Sequence, residues 1–250
     1  MSRPVFLASF DALEVDEIVL DGAEGRHAAT VRRIEVGEEI DLTDGSGTIA
    51  TCVVTRADKA SLTVAVHDRR AIPAPSPRLV VAQAIPKGDR GETAVETLTE
   101  VGVDEIVPWA AQRAMVRWKG DRRDKQLARW RSTAREAAKQ ARRAWVPVIS
   151  DPVETPELVS RAGAADSAVV LHEGAATTSP LTEVPAPEVG EILLVVGPEG
   201  GVSPDELSAF DDIGARQASL GPTVLRTSTA GTVAAGIVLS RTERWFTPPV

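Results

Sequence analysis

The sequence predicts an α/β protein in which a mostly parallel sheet is flanked by helices and preceded by a smaller β-rich unit. Apolar, strand-like runs alternate with helical segments from residue 78 onward, whereas short alternating patterns dominate residues 4–70. Residues 71–77, between the two, contain three prolines and are therefore expected to be extended and poor at strand pairing. We expect an N-terminal domain, a linker and a C-terminal domain over residues 1–72, 73–77 and 78–250.

The N-terminal elements are predicted from alternation and from turn residues. Apolar and polar residues alternate in EEIDLTD (38–44) and again in SLTVAVHD (61–68), which is typical of half-buried strands. The run Asp44-Gly45-Ser46-Gly47 predicts a turn between two β-prone stretches. A short helix is expected over residues 23–33.

The C-terminal elements follow from apolar runs and helix-start signals. The stretch at 191–197 is apolar on both faces, as in a strand of a parallel sheet. Ser203-Pro204-Asp205-Glu206 is a capping box with proline at the first helical position, so a helix begins there. Further strands are predicted over residues 79–85, 104–109, 146–150, 168–173 and 217–221. Further helices are predicted between the first two of these strands, from about Asp121 to Arg143, and from about Ser228 to Trp245.

Composition excludes several classes of protein. Hydrophobic residues make up 43% of the 250 residues and charged residues 26%, which is ordinary for a soluble globular protein. No apolar run approaches the ~20 residues of a membrane span, and no apolar leader precedes the first acids. Cys52 is the single cysteine, and the three histidines lie far apart, so neither a disulfide nor a metal site is expected. We expect a cytoplasmic protein without a membrane partner.

Glycine patterns exclude the common nucleotide sites. No G-x-x-x-x-G-K-[ST] occurs, which argues against a P-loop enzyme. No G-x-G-x-x-G follows a strand, which argues against a Rossmann dinucleotide site and equally against the common glycine-rich methyltransferase fold.

The charge is unevenly distributed along the chain. The net charge is −8, yet residues 111–145 carry twelve bases against three acids. On the predicted long helix, one stripe is formed by Arg131, Arg135, Lys139 and Arg142. Because interleaved acids are nearly absent, we favour a polyanion site over an ordinary solvated face. Three tryptophans accompany the bases, and we favour a core or interface role for them over base stacking.

Three short loops follow three predicted C-terminal strands, at residues 171–174, 197–201 and 220–227. In an open α/β sheet, ligands bind beyond the carboxyl ends of the strands, so these loops are expected to converge on one pocket. Gly200 and Gly201 permit positive φ and a close approach of the backbone to a ligand. Taken alone, GPEGG also fits a turn that joins a strand to a capped helix.

The motifs in these loops resemble a known family. VVGPEGG (195–201), LGPTVLRTSTA (220–230), KGDRGE (87–92), EAAKQARR (136–143) and LHE (171–173) look like those of the RsmE-type ribosomal RNA uracil-N3 methyltransferases of the SPOUT superfamily. The likeness runs in order across nearly the whole chain. This sequence departs from the family pattern by carrying Arg32 where leucine is usual, Thr97 where lysine is common and Ser228 where glutamate is frequent.

The resemblance implies a fold and an activity. The N-terminal unit is expected to be a PUA-like β-barrel that grips RNA, and the C-terminal domain a SPOUT fold with a deep trefoil knot. Such proteins are homodimers that bind S-adenosylmethionine in the knot, and the expected product is 3-methyluridine in the decoding-site helix of 16S ribosomal RNA in the small subunit. Because Ser228 stands where the family often has glutamate, the alternative of a non-catalytic RNA-binding or ribosome-assembly factor stays open. An enzyme acting on a 2′-hydroxyl matches the motifs less well.

The resemblance also implies roles for individual residues. Arg226 is expected to contact a substrate oxygen or phosphate, or else to form a salt bridge with Glu199. Glu173 is expected to accept the N3 proton or to cap a loop. The cofactor is expected to contact Leu171, Gly197, Glu199, Gly200, Gly201, Leu220, Gly221, Val224, Leu225 and Ala230. RNA phosphates are expected to contact Arg32, Arg33, Lys87, Arg90, Arg113, Arg135, Arg142 and Arg143.

Overall fold

The computed structural model describes residues 3–173 and 179–246. Within these, the chain forms two compact units. The N-terminal unit comprises residues 3–74 and 138–146, and the C-terminal unit comprises the remaining described residues. The predicted α/β class with a parallel sheet is confirmed in the C-terminal unit, whose strand pairs are all parallel.

The N-terminal unit is built on a five-stranded sheet with the order β1-β3-β4-β5-β2. Its strands are β1 (Val5–Leu7), β2 (Glu17–Leu20), β3 (Glu39–Thr43), β4 (Thr48–Ala57) and β5 (Leu62–Ala71). Its helices are α1 (Phe10–Leu13) and α2 (Gly22–Arg26), the second continuing into a π-helical turn, His27–Val31. Strand β1 runs parallel to β3, and the other neighbours are antiparallel. Alternate residues of the strands, among them Ile40, Leu42 and Val64, fill a core that excludes water.

A second part of the chain completes this unit. The β3–β4 turn accepts a hydrogen bond from Val146 N–H at the Gly45 carbonyl (2.9 Å), and Gly47 N–H donates to the Ala144 carbonyl (3.0 Å). Gly47 has φ +104°, and a Cβ atom there would lie 2.6 Å from the Trp145 ring. Trp145 in turn donates its indole N–H to the Ile72 carbonyl (3.0 Å). Trp145 is therefore a packing residue, as the sequence predicted.

The C-terminal unit is built on a seven-stranded sheet with the order β10-β12-β9-β11-β6-β7-β8. Its strands are β6 (Arg78–Ala84), β7 (Glu105–Trp109), β8 (Val148–Ile149), β9 (Ser167–Leu171), β10 (Ser179–Pro180), β11 (Glu191–Val196) and β12 (Arg216–Ser219). Its helices are α3 (Arg90–Val101), α4 (Asp121–Gln140), α5 (Thr155–Ala164), α6 (Pro204–Asp212) and α7 (Thr227–Leu239). Single 3₁₀ turns cover Leu181–Glu183 and Glu243–Phe246. The last residues of α4 are counted with the N-terminal unit.

Helices cover both faces of this sheet. Successive strand residues point to opposite faces, so Leu79 and Val81 pack against α3, α4 and α7 while Val80 and Ala82 pack with α5 and α6. Strand β11 is buried on both sides, as its continuous apolar run predicts. The strand order brings the carboxyl ends of β12, β9, β11 and β6 side by side.

Two predicted helices end earlier than expected. Helix α4 stops at Gln140 instead of Arg143, because Arg142 has a left-handed φ of +55°. The N–H groups of Arg142 and Arg143 donate to the carbonyls of Lys139 and Ala138, at 3.1 and 2.9 Å. These two bonds form a Schellman motif, which satisfies carbonyls that the helix end leaves open. Helix α7 stops at Leu239 instead of Trp245.

Among the other elements, one predicted helix start is confirmed and several elements were not predicted. The capping box is confirmed, since Ser203 and Glu206 exchange both hydrogen bonds at the start of α6. Helices α1 and α5 and strands β1, β2 and β10 were not predicted. No helix among the described residues has the length and hydropathy that crossing a membrane requires.

Candidate functional site

A cavity of about 370 Å³ lies at the carboxyl edge of the C-terminal sheet. Its volume is within the range of small-molecule sites, about 300–1,000 Å³. The loops after β9, β11 and β12 supply most of its walls, and the first residue of α3 and two residues of α7 complete them. The lining residues are Arg90, Leu171–Glu173, Val196–Glu199, Gly201, Val202, Ala218–Gly221, Thr223–Thr227 and Ala230.

Apart from Gly174, which lies outside the described residues, the structure brings the three predicted loops together in this one cavity. Both residues predicted to act on the substrate, Glu173 and Arg226, line it. So do nine of the ten residues predicted to contact the cofactor: Leu171, Gly197, Glu199, Gly201, Leu220, Gly221, Val224, Leu225 and Ala230. The cavity thus combines apolar walls with glycine-rich backbone and charged side chains of both signs.

Gly200 is the predicted cofactor residue that does not line the cavity. A Cβ atom at Gly200 would lie 3.2 Å from the Cβ and 3.3 Å from the carbonyl oxygen of Arg113. The Arg113 guanidinium also donates to the Gly200 carbonyl (3.3 Å). A side chain at Gly200 would therefore press against the Arg113 segment, while Gly201 is the residue with positive φ, at +74°.

Arg226 is the residue at the start of α7. Its carbonyl accepts hydrogen bonds from the N–H groups of Thr229 and Ala230, both at 2.9 Å. Its exposed guanidinium bonds to no other residue in the part of the chain that the structure describes. The alternative of a salt bridge to Glu199 is wrong, because Glu199 pairs with Arg90 (3.1 Å).

Glu199 joins two loops of the cavity. The same carboxylate oxygen that pairs with Arg90 also accepts the Lys87 N–H at 3.4 Å. Glu199 therefore holds the segment that precedes α3 against the loop that follows β11. Arg90, predicted as an RNA-binding residue, lies at the cavity and contacts a residue predicted to bind the cofactor.

The start of α7 is held by a hydrogen bond from a buried side chain. The Gln83 amide, fully buried at the end of β6, donates to the Thr227 carbonyl at 3.2 Å. Ser228, the departure from the family pattern, is also buried and does not line the cavity. The glutamate that is frequent at this position would have to be accommodated in that buried place.

His172 and Glu173 follow β9 at the mouth of the cavity. The His172 N–H donates to the Ala218 carbonyl (3.0 Å), which continues the pairing of β9 with β12. Neither side chain hydrogen-bonds to any described residue, so no loop-capping bond from Glu173 is formed within residues 3–173 and 179–246. Glu173 is exposed, and its carboxylate is therefore accessible from solvent.

The prediction of a four-residue basic stripe on α4 is wrong. Lys139 is buried and pairs with Glu24 (2.8 Å) inside the N-terminal unit. Arg131 donates to the Ile149 carbonyl (3.2 Å) and pairs with Asp151 (3.3 Å). Arg142 lies beyond the end of the helix. Arg135 alone of the four is exposed on α4 without a partner among the described residues.

The other predicted RNA-binding residues lie at exposed or half-exposed positions. Arg32 and Arg33 follow the π-helical turn, and Arg33 has a left-handed φ of +54°. Lys87 is exposed before α3, and Arg143 is half-buried after α4. Of the tryptophans, Trp130 is buried and meets Trp118 edge to face at 4.9 Å, as the predicted core role requires.

Several residues of the cavity were not predicted from the sequence. His172, Pro198 and Thr223 lie inside the quoted motifs but carry no role in the sequence analysis. Val196 ends β11 and Ala218 is the last residue but one of β12, and their place on the lining follows from the parallel order of β9, β11 and β12. Position within a motif would have indicated the first three residues and Val196, whereas Ala218 required the topology.

Comparison with known proteins gives a consistent result. The model of the RNA methyltransferase domain matches residues 73–239, and that of the RNA methyltransferase PUA domain matches residues 20–66. The chain is 48% identical over 233 residues to ribosomal RNA small subunit methyltransferase E of Mycobacterium tuberculosis, covering 91% of this chain and 87% of that protein. It is 28% identical to the protein of that name in Bacillus subtilis, covering 92% of each.

Solved structures resemble the whole chain. A methyltransferase from Legionella pneumophila with bound S-adenosylmethionine superposes with a TM-score of 0.86 at 27% identity, covering 97% of this chain and 99% of that one. Ribosomal RNA small subunit methyltransferase E of Neisseria gonorrhoeae, bound to S-adenosylmethionine, gives 0.82 at 25% identity, covering 96% and 98%.

Proposed function

This chain belongs to the ribosomal RNA small subunit methyltransferase E family, and we propose that it methylates N3 of a uridine in the decoding-region helix of 16S ribosomal RNA. It is an S-adenosylmethionine-dependent ribosomal RNA methyltransferase with a PUA domain. One observation carries the more specific proposal: loops from three neighbouring strands, each with its family motif, line a single cavity.

The cavity fits S-adenosylmethionine by its chemistry. Leu171, Leu220 and Leu225 offer apolar surface to an adenine ring, and the glycine-rich backbone after β11 permits close approach. The carboxylate of Glu173, which is not paired with any described residue, favours a ligand with a positive sulfonium and ammonium group, whereas that of Glu199 is already paired with Arg90. The residues that would hold the cofactor are Leu171, Gly197, Glu199, Gly201, Leu220, Gly221, Val224, Leu225 and Ala230, with Gly200 behind them.

The reaction needs no covalent enzyme intermediate. When bound, the cofactor supplies a methyl group that its sulfonium makes electrophilic. The protein has to align uracil N3, accept the imide proton and stabilise negative charge that develops on O2 or O4. N3 lies on the Watson–Crick edge, so the cavity has to receive an unpaired or extruded base.

Arg226 is the proposed contact for the uracil oxygen or a neighbouring phosphate. Arg226 lines the cavity, and its guanidinium has no carboxylate partner in the described part of the chain, so binding an anionic group costs no existing ion pair. A guanidinium aimed at developing negative charge lowers the barrier most where water is excluded. Arg90 differs, since Glu199 already neutralises it.

Glu173 is the proposed acceptor of the N3 proton. Glu173 lines the cavity and is exposed, and its carboxylate has no competing hydrogen bond among the described residues. In the proposed step the carboxylate takes the proton from N3 as the methyl group passes from the sulfonium sulfur to N3. General bases of this kind contribute about 10²–10⁴-fold to a rate.

The proposed RNA contacts are basic residues of both units. Exposed Arg32, Arg33, Lys87 and Arg135 carry positive charge that a phosphate can approach. We include the residues that follow α4, Arg142 and Arg143, and the two arginines beside the cavity loops, Arg90 and Arg113. Phosphate contacts position the substrate, and the cavity selects the base.

Three structural proposals accompany the activity. For a barrel in the PUA domain, the support is the five-stranded sheet of the N-terminal unit. For a trefoil knot, there are two supporting observations. Helix α7 follows β12 in the chain, and β12 is separated from β11 by β9, yet α7 packs with β6 and β11. Arg241, which follows α7, donates hydrogen bonds to the Leu181 and Val184 carbonyls at 3.2 and 2.7 Å. For a homodimer, the support is the uncharged side of α7, on which Val233 is 40% exposed.

The proposed activity is tested by methyl transfer from labelled S-adenosylmethionine to unmethylated 30S particles and to free 16S ribosomal RNA. Nucleoside analysis then identifies the product, and primer extension or mass spectrometry locates it. We expect label in 3-methyluridine at one position of the decoding-region helix. Label in another nucleoside, in a 2′-O-methyl group, or in neither RNA would contradict the proposal.

A further inference from the structure

Glu206 is a buried carboxylate on which three segments of the C-terminal unit converge. It is 2% exposed and occupies the third position of α6. One oxygen accepts the Ser203 N–H at 3.0 Å. The other accepts the Gln112 N–H and the Thr155 hydroxyl, both at 2.8 Å. The three donors come from the loop after β11, the loop after β7 and the start of α5.

This arrangement requires an acceptor at both oxygens. The Thr155 hydroxyl already accepts the Trp109 indole N–H (3.2 Å), so its own hydrogen is available for Glu206. No arginine or lysine of the described chain pairs with Glu206, so neutral donors alone satisfy the buried charge. A glutamine would direct an NH₂ group at one of these donors, because an amide accepts only through its oxygen.

The donors connect Glu206 to the glycine-rich loop of the cavity. Ser203 directly follows Gly197–Val202, most of which lines the cavity. Gln112 precedes Arg113, whose backbone packs against Gly200 and whose guanidinium donates to the Gly200 carbonyl (3.3 Å). Glu206 therefore holds the loop at its end and also holds the segment against which its middle rests.

We propose that Glu206 is a positioning residue for the cofactor: it sets the backbone of the Gly197–Val202 loop through Ser203 and through Gln112 and Arg113. The proposal rests on the proposed use of this cavity for S-adenosylmethionine. Glu206 does not line the cavity and contacts no reacting atom, so its effect falls on cofactor binding rather than on the chemical step.

The test compares two buried glutamates of the same sheet in the full-length chain. Glu105, 5% exposed, starts β7 at the amino edge of the sheet and accepts from Ser150, Arg78 and Arg161. Both Glu206→Gln and Glu105→Gln are expected to lower the Tm. Glu206→Gln is expected to raise the KM for S-adenosylmethionine at least about tenfold while kcat stays within about twofold. Glu105→Gln is expected to leave that KM unchanged.

Equal KM values in the two variants, with both Tm values lowered, would overturn the proposal, because Glu206 would then contribute to stability alone. A loss of kcat at unchanged KM would overturn it as well. Should Glu206→Gln fail to fold, Thr155→Val removes one donor to Glu206 together with the acceptor of the Trp109 indole N–H, and it is expected to raise the KM about two- to fivefold. An unchanged KM in a folded Thr155→Val protein would overturn the proposal too. Failure of the wild-type chain to bind S-adenosylmethionine in calorimetry would instead refute the use of the cavity for this cofactor.

Discussion

Arg226 is positioned by the backbone and carries a side chain that remains available. Two N–H groups of α7 bond to its carbonyl, and the buried Gln83 amide holds the next carbonyl of the helix. The guanidinium itself is exposed at the cavity. An arginine whose backbone is fixed and whose guanidinium is unpaired is suited to stabilise negative charge that develops on the substrate only during the reaction.

Arg226→Ala should therefore lower the rate of methyl transfer at least about tenfold, because it removes charge stabilisation of the reacting uracil. The affinity for S-adenosylmethionine should change less than about twofold. Single-turnover kinetics and calorimetry measure the two quantities. Arg216→Ala, at an exposed arginine on the opposite edge of the sheet, is the matched control. Wild-type turnover in Arg226→Ala would exclude a catalytic role for this residue.

Glu105 shows how a buried charge is stabilised away from the cavity. Burial alone would raise the pKa of its carboxyl, but hydrogen bonds from Ser150, Arg161 and Arg78 outweigh burial and lower the pKa. The same network raises the pKa of Arg78 against the opposing effect of burial. A carboxyl with a lowered folded-state pKa stabilises the fold above its unfolded pKa and loses that contribution as pH falls through the folded value.

The free energy of unfolding should therefore decrease as pH falls below about 4.3, the ordinary glutamate pKa. In Glu105→Gln this part of the pH dependence should be absent, and stability at neutral pH should be lower because Arg78 and Arg161 lose their shared partner. Urea unfolding between neutral pH and about pH 3 measures both effects. Glu157→Gln, at an exposed glutamate of α5, is the control. Identical pH slopes in wild type and Glu105→Gln would disprove this account.

At the level of elements, contacts along α4 and at its C-terminal end determine which basic side chains of the predicted stripe can bind a phosphate. The Schellman motif at Arg142 turns the chain away, and the Lys139 ammonium is committed to Glu24. Arg131 is held by Ile149 and Asp151. Arg135 therefore remains as the base of the predicted stripe that is best placed to bind a phosphate from the helix surface.

Arg135→Ala should weaken RNA binding and reduce the slope of log Kd against log salt by about 0.7–0.9, the amount expected for one lost phosphate contact. Arg131→Ala is the matched control, because the same change on the same helix removes a cation that Asp151 already neutralises. Filter binding over a range of salt concentrations gives both slopes. An unchanged slope in Arg135→Ala would mean that this arginine does not contact RNA.

Helices α3 and α4 meet at a glycine. A Cβ atom at Gly91 would lie 2.8 Å from the Trp130 ring, which is itself fully buried. By contrast, a Cβ atom at Gly163 in α5 would lie 3.7 Å from Ile213, an ordinary contact. The small residue at Gly91 is therefore required by packing between two helices, and the one at Gly163 is not.

Gly91→Ala should destabilise the fold by about 1–3 kcal/mol, since overpacking against Trp130 outweighs the better helix propensity of alanine. Gly163→Ala should be neutral or stabilise by up to about 1 kcal/mol. Urea unfolding of the two variants separates the effects. Stabilisation by Gly91→Ala would show that Trp130 moves freely, contrary to its buried position.

At the level of the whole molecule, local signals predicted the elements and the topology completed the site. Apolar runs located β6, β7, β9 and β11, and the Ser203–Glu206 capping box located the start of α6. Family motifs predicted which loops converge. The structure adds the strand order that makes those loops neighbours.

Pairings between distant residues could not be predicted from local patterns. Lys139 meets Glu24 across 115 positions, and Glu199 meets Arg90 across 109. Each of these contacts changed an expectation: the first removed a base from the predicted stripe, and the second removed the predicted partner of Arg226. The bonds from Gln112 and Thr155 to Glu206 likewise depend on the tertiary fold, although the capping-box role of Glu206 was visible in the sequence.

The most direct test of the account is a crystal structure of the full-length protein soaked with S-adenosylmethionine. The account predicts density for the methyl donor in the cavity between the loops after β9, β11 and β12, with its methyl group accessible from the side of Arg226 and Glu173. Density for the donor at any other place, with these loops unliganded, would contradict the central claim.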